Sequence, residues 1–184
     1  MKKFTTVIIA LVFIMTPTLF AEKAPKKVVA FANSTLAGLG SDPIIVAAVK
    51  KENAKSKTLS QIKTMDVKWK KTPGIAGFMK ALMDSQCGKH LQSIRDSKPY
   101  YSEIFVMGKL GENVAMSDKT SDFWQGDEAK FKRSFNNGKG AVFVDDVEFD
   151  DSSQAYLVQV SVPVKDGSKV IGAITFGIDI EKVD

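Results

Sequence analysis

Residues Tyr156 to Ile180 read YLVQVSVPVKDGSKVIGAITFGIDI. Tyr156, Val158, Val160, Val162 and Val164 fall on one side of an alternating run, and Gln159 and Ser161 fall on the other. After the loop KDGS, Ile174, Phe176, Ile178 and Ile180 share one side, and Ala173, Thr175, Gly177 and Asp179 share the opposite one. Successive strand residues point to opposite faces, so this pattern predicts two strands joined as a hairpin, each with an aliphatic face and a small, polar face. Two readings of the polar face are open. It is a solvated face, as antiparallel sheets commonly have, or it is the floor of a pocket, where small side chains leave room and polar groups orient a ligand.

Working outward, the period-2 pattern extends back to Pro99. It predicts strands near 102–107, 113–117, 141–149, 155–164 and 169–180, with GKLGE joining the first two and DDSS the third and fourth. Before Pro99 the apolar spacing is helical. Asp42 is a good N-cap with Pro43 at the first helical position, and that helix runs to about Lys55. Thr58 or Ser60 starts a second helix, with Leu59, Ile62, Met65, Val67 and Trp69 as its apolar contacts, ending at Thr72-Pro73-Gly74. Helical stretches over 75–86 and 89–97 follow, and another over 127–136. Residues 28–39 are apolar and small and end in a Gly-rich turn. The fold class is α+β, with helices packed on a five-stranded antiparallel sheet.

The connection Ser117–Phe131 (SDKTSDFWQGDEAKF) crowds acids, hydroxyls and a Trp between the second and third strands. A loop of this composition on a rigid scaffold is a natural pocket wall. The expected arrangement has Trp124 stacking over a floor of Gln159, Ser161 and Thr175, with Asp118 and Asp127 at the rim and Tyr101 nearby. Each residue also has a structural reading. Trp124 caps the core, Asp118 starts a turn, Asp122 caps a helical turn, Asp127 favours a helix start, Tyr101 and Tyr156 pack, and Asp145-Asp146 form a bulge or strand end. The acids Asp118, Asp122, Asp127 and Glu128 lack the spacing of a calcium loop.

The chain has 184 residues, 44% hydrophobic and 26% charged, which suits one domain. Lys2 and Lys3, the apolar run Val7–Met15 and the small Ala21 have the layout of a secretory signal peptide over 1–21, cleaved near Ala21. Its removal lowers the formal net charge from +5 to +3, since the segment holds two lysines and no acid. Basic clusters (KENAKSK, KWKK) lie on helices with few aromatics nearby, so no nucleic-acid partner is expected. Cys87 is the sole cysteine and His90 the sole histidine. No internal disulfide can form, and no nucleophile triad, metal set or cofactor loop is assembled. Cys87 reads as a buried small hydrophobe and His90 as a helix-surface residue. The expectation is a non-enzyme with no cofactor.

The pattern EIFVMGKLGENVAMSDKTSDFWQGDEAKF followed by GAVFVDDVEFDDSSQAYLVQVSVPVKDGSKVIGAITFGIDI resembles the extracytoplasmic PAS-like sensor fold, the Cache family, in its free-standing periplasmic single-domain form. The resemblance covers roughly residues 42–181. It implies a long N-terminal helix on a sheet of order 2-1-5-4-3, with the ligand on the other side beneath the connection after the second strand. It divides the chain into a signal peptide (1–21), an N-terminal segment (22–41) and one sensor domain (42–184). Amino-acid-binding members carry an Arg shortly before a Trp-Tyr pair, and an acid further on. Here Trp124 matches the Trp and Asp127 the acid, but the Arg position falls in Thr120-Ser121-Asp122 and Gln125 follows Trp124. With that Arg absent and acids outnumbering bases in the connection, a cationic or neutral polar small-molecule ligand is expected, with Lys119 or Lys130 as the only substitutes for the Arg. A domain without output machinery implies a membrane receptor or kinase as partner. The alternative is an exported dimeric interaction protein, a homodimer through its N-terminal helices, with a vestigial pocket.

Overall fold

The computed structural model describes residues 22–150 and 154–183. The expected signal peptide and three residues of the DDSS turn lie outside the described residues.

Local chemistry sets the helix starts. α1 (Lys26–Phe31) continues through a π-helical turn (Ala32–Leu36) into α2 (Ala37–Leu39), which makes a helix of the apolar 28–39 stretch. α3 (Pro43–Ala54) begins where Asp42 Oδ1 accepts from the backbone N–H of Ile44 at 2.8 Å and Ile45 at 3.2 Å. α4 (Leu59–Lys71) opens on a reciprocal cap: Gln61 N–H donates to Thr58 Oγ1 at 3.2 Å, and Thr58 N–H donates to Gln61 Oε1 at 2.9 Å. Of its expected apolar contacts, Leu59 and Val67 are exposed, while Ile62 and Trp69 are buried. α5 (Gly77–Met83) and α6 (Gln86–Asp96) meet at a tight corner. α6 starts three residues earlier than its sequence pattern indicated, because Ser85 caps it by accepting from Gly88 N–H at 2.9 Å. A Cβ on Gly88 would lie 2.3 Å from the carbonyl oxygens of Leu82 and Met83, so only glycine fits this corner.

The sheet contains β1 (Tyr101–Met107), β2 (Asn113–Met116), β3 (Phe143–Asp150), β4 (Ala155–Asp166) and β5 (Lys169–Asp179), all antiparallel in the order 2-1-5-4-3. α7 (Ala129–Phe135) lies between β2 and β3 in sequence. The register of β3 on β4 shifts between Val144 and Val147, so Asp145-Asp146 form a bulge.

Both faces of the sheet are covered. On the inner face Val158, Val160, Val162, Ile174, Phe176 and Ile178 pack with Ile104 and Val106 beneath Val28, Leu36, Ile45, Val49 and Leu91 of the helices. Val160 and Phe176 are cross-strand partners in this core, as the alternation requires. On the outer face Phe105, Met107 and Ala173 form a second core with Ile62 and Trp69 of α4, Met79 of α5, Phe123, and Phe131 of α7. Fully burying one such aromatic or aliphatic side chain contributes about 1.5–3 kcal/mol, so this second core fixes α4 and α7 firmly over the outer face.

Candidate functional site

The outer-face core does not fill the whole outer face. A cavity of about 300 Å³ remains between the sheet and the 117–128 connection. Glu103 and Phe105 of β1 and Gln159 of β4 form its floor. Lys119, Thr120, Ser121 and Gln125 of the connection, Lys130 of α7 and Asp150 at the end of β3 form its walls. A recess of about 100 Å³ beside it shares Asp150 and Gln159 and reaches Glu148, Phe149 and Leu157.

The connection is strapped in place at many points. Asn113 N–H donates to Phe123 O at 2.9 Å, and Gln125 N–H donates to Gly111 O at 2.8 Å. Helix α4 grips it from outside: Asp66 Oδ1 accepts from the backbone N–H of Phe123 at 2.9 Å and Trp124 at 3.0 Å. Lys70 Nζ bridges Asp66 at 2.9 Å and Asp122 at 3.1 Å, and Trp69 Nε1–H donates to Thr120 O at 2.8 Å. Asn113 Nδ2–H donates to Thr120 Oγ1 at 2.7 Å and Asp122 O at 3.0 Å. Each of the bonds to the backbone is worth about 1 kcal/mol net, the half-exposed Lys70 pairs less, and more is lost when a buried N–H is left without a partner. The roof of the cavity is therefore ordered before any ligand arrives.

Glu103 is the distinctive group on the floor. Its Oε1 accepts from Gln159 Nε2 at 3.3 Å. Among the described residues, no cation lies within ion-pair distance of it. Burial pushes its carboxyl up to about 6, with Asp150 and Asp118 acting in the same direction and Lys130 and the Gln159 bond opposing. The two lysines are already engaged. Lys130 Nζ pairs with Glu128 at 2.8 Å and sits 5.5 Å from the centre of the Phe105 ring. Lys119 Nζ donates to Gly74 O at 2.7 Å and Thr72 O at 3.3 Å. Gln125 is buried, its Nε2–H donates to Asp122 O at 2.9 Å, and its Oε1 has no partner.

The sequence-derived candidates divide in this geometry. Gln159 lines the cavity. Ser161 and Thr175 are fully buried and hydrogen-bonded to each other at 2.7 Å, on the part of the sheet where α7 packs. Trp124 does not line the cavity. Its Nε1–H donates to Leu110 O at 2.8 Å, and its ring lies 4.5 Å from Lys63 Nζ, on the α4 side of the connection. Asp118 pairs with Arg95 at 2.5 Å and accepts from Ser117 Oγ at 2.8 Å, outside the cavity lining. Asp127 is exposed. Tyr101 turns to the inner face, among Phe31, Tyr100 and Phe176. His90 is partly buried, with Nε2 3.0 Å from Asp42 Oδ2, and Cys87 is buried. Glu103, Phe105 and Gln125 were not singled out from sequence. The available signal was the alternation in β1, which sends Ile104 and Val106 inward and Glu103 and Phe105 outward.

No family model matches the chain and no curated protein matches it. Solved structures do. The sensor domain of the V. cholerae histidine kinase DctB aligns with a TM-score of 0.51 at 12% identity, covering 85% of this chain and 51% of that one. The ligand-binding domain of the Campylobacter jejuni chemoreceptor Tlp3, in complex with L-valine, aligns at 0.41 and 16% identity over 86% and 65%. The ligand-binding domain of the Pseudomonas aeruginosa PAO1 amino acid chemoreceptor PctC, in complex with GABA, aligns at 0.39 and 8% identity over 81% and 62%. This chain therefore spans about half to two thirds of the length of these structures. The fold is that of a PAS-like sensor domain. More particularly, the five strands in order 2-1-5-4-3, helices on the inner face and a strapped connection after the second strand are the Cache-type arrangement.

Proposed function

We propose that this chain is an exported, periplasmic sensor domain (42–184, after a signal peptide over 1–21 and an N-terminal segment over 22–41). It binds a cationic or neutral polar small molecule and acts through a separate membrane receptor or kinase. The observation that carries this reading is the cavity under the 117–128 connection, lined by Glu103, Gln159 and other polar side chains beside a part of the outer face that apolar packing closes. Ligand sites are concave, largely pre-formed and equipped with a few placed polar groups. The likeness to a histidine-kinase sensor domain supports a sensory rather than catalytic role. Among the described residues, no helix is long and apolar enough to cross a membrane.

One observation favours a second reading. The outer-face core already occupies much of the surface that a larger ligand would need, and it buries Ser161 and Thr175. In that reading the cavity is vestigial and the protein acts as a homodimer through its N-terminal helices.

A thermal-shift screen of amines, polyols and small carboxylates separates the two. The sensor reading expects one class to raise the melting temperature of the wild type, and expects Ser121→Trp, at the exposed edge of the cavity, to abolish that rise. Stabilisation that survives Ser121→Trp places binding elsewhere. A dimer that no compound stabilises would establish the second reading.

A further inference from the structure

The cavity carries a charge signature more specific than its polarity, resting on the ligand-site reading above. Glu103 stands on β1 and Gln159 on β4, and the residue between them on β5 is Gly177, paired with both. A Cβ there would lie 2.9 Å from Glu103 Cγ, so the glycine gives the carboxylate stem room to lean over the sheet. The carboxylate then meets a single amide donor at 3.3 Å, a long and weak bond that leaves most of its acceptor capacity unused. The charged groups that line the cavity with it are Lys130 from α7, Asp150 from β3 and Lys119 of the connection, while Asp118 acts on it from outside the lining, where it pairs with Arg95. Lys130 is paired with Glu128 at 2.8 Å, though its charge still acts on Glu103, and Lys119 is held by two backbone carbonyls. The cavity therefore has a partly buried acid without an ion-pair partner and no uncommitted cation among its described lining residues.

We propose that the cavity is an organic-cation site, in which Glu103 anchors a protonated amine or quaternary ammonium of the ligand. A cation here would meet a carboxylate in a partly desolvated setting, where the attraction is stronger than in water. An anion would face the same carboxylate with both lysines already engaged. A zwitterion would need Lys130 released from Glu128 before its carboxylate could be held. The site thus selects cations without a compensating carboxylate.

The test is calorimetric titration of the purified full chain with putrescine, spermidine and choline as cations, L-valine as zwitterion and succinate as dianion. Wild type, Glu103→Gln and Lys130→Met are compared, each checked for folding by circular dichroism. The expected result is binding of at least one cation, weakened at least tenfold by Glu103→Gln and strengthened by Lys130→Met, which removes a like charge. Cation binding should also tighten about tenfold between pH 5 and pH 7 as Glu103 loses its proton, and this pH dependence should vanish in Glu103→Gln. A ligand lost in both variants is a zwitterion held at both ends, and one lost only in Lys130→Met is an anion. Either overturns the cation assignment while leaving the ligand site in place. Cation binding indifferent to Glu103→Gln overturns the anchoring role. Wild type that binds none of the three cations overturns this proposal, while the thermal-shift screen decides the ligand-site reading separately.

Discussion

Gln159 Nε2–H reaches Glu103 Oε1 at 3.3 Å although the two residues stand on strands that are not neighbours. β5 runs between them, and the contact exists because the intervening position is Gly177. Any larger residue there would press on Glu103 and part the two side chains. The carboxylate stands on the floor of the cavity with this one weak partner, and its burial makes stability depend on pH.

Burial raises Glu103 from the ordinary 4.5 to about 6, so the folded chain holds that proton more tightly than the unfolded chain does. The stabilisation is fully present below about pH 4.5 and is lost as pH rises through 6. Relative to Glu103→Gln, wild type should lose about 1–2 kcal/mol of unfolding free energy between pH 4 and pH 7. Urea denaturation of both proteins at the two pH values checks this. A difference independent of pH would mean that Glu103 titrates as if exposed.

Asp66 holds the roof. Its Oδ1 accepts from two backbone N–H groups of the connection, and Phe123 is buried. Asp66→Ala leaves both donors unpaired and should cost about 3 kcal/mol, whereas Asp66→Asn retains an acceptor and should cost about 1 kcal/mol. Hydrogen exchange at the Phe123 and Trp124 amides should accelerate strongly in the alanine variant alone. Equal exchange in both variants would show that the connection is held by its other contacts.

Two glycines should respond with opposite sign. A Cβ on Gly172 would lie 2.2 Å from the backbone oxygen of Met107, which cannot swing away, so Gly172→Ala should destabilise by about 2–3 kcal/mol. Gly38, in α2, has nothing within 4 Å of its Cβ position, so Gly38→Ala should stabilise by about 0.5–1 kcal/mol. Thermal melts of the two variants check both signs at once.

What the sequence displayed and what it hid follow from the range of the interactions. Period-2 alternation fixed Val160 and Phe176 in one core, and the caps at Asp42 and Thr58 announced α3 and α4, because each signal lies within a few residues. The direction of Trp124 was not local. The connection pairs with the β1–β2 hairpin, Trp124 bridging to Glu112 and Gln125 bonding Gly111, and that register turns Trp124 towards α4 and Gln125 towards the cavity. One residue of slip would exchange the two. Ser161 and Thr175 lie on the outer face where alternation placed them, yet whether they meet ligand or protein depends on where α7 docks. Glu103 was legible in principle, as the charged member of an outward face shared with Phe105 and Met107.

The proposed small-molecule site is the cavity between β1, β4 and the 117–128 connection. Titrating ¹⁵N-labelled protein with the compound that most raises its melting temperature, and mapping amide shift changes, tests it most directly. The expected result is the largest changes at the backbone amides of Glu103, Phe105, Thr120 and Ser121 and at the side-chain amides of Gln125 and Gln159. Changes centred on Tyr101 and the inner-face helices, with these cavity signals unmoved, would contradict the claim.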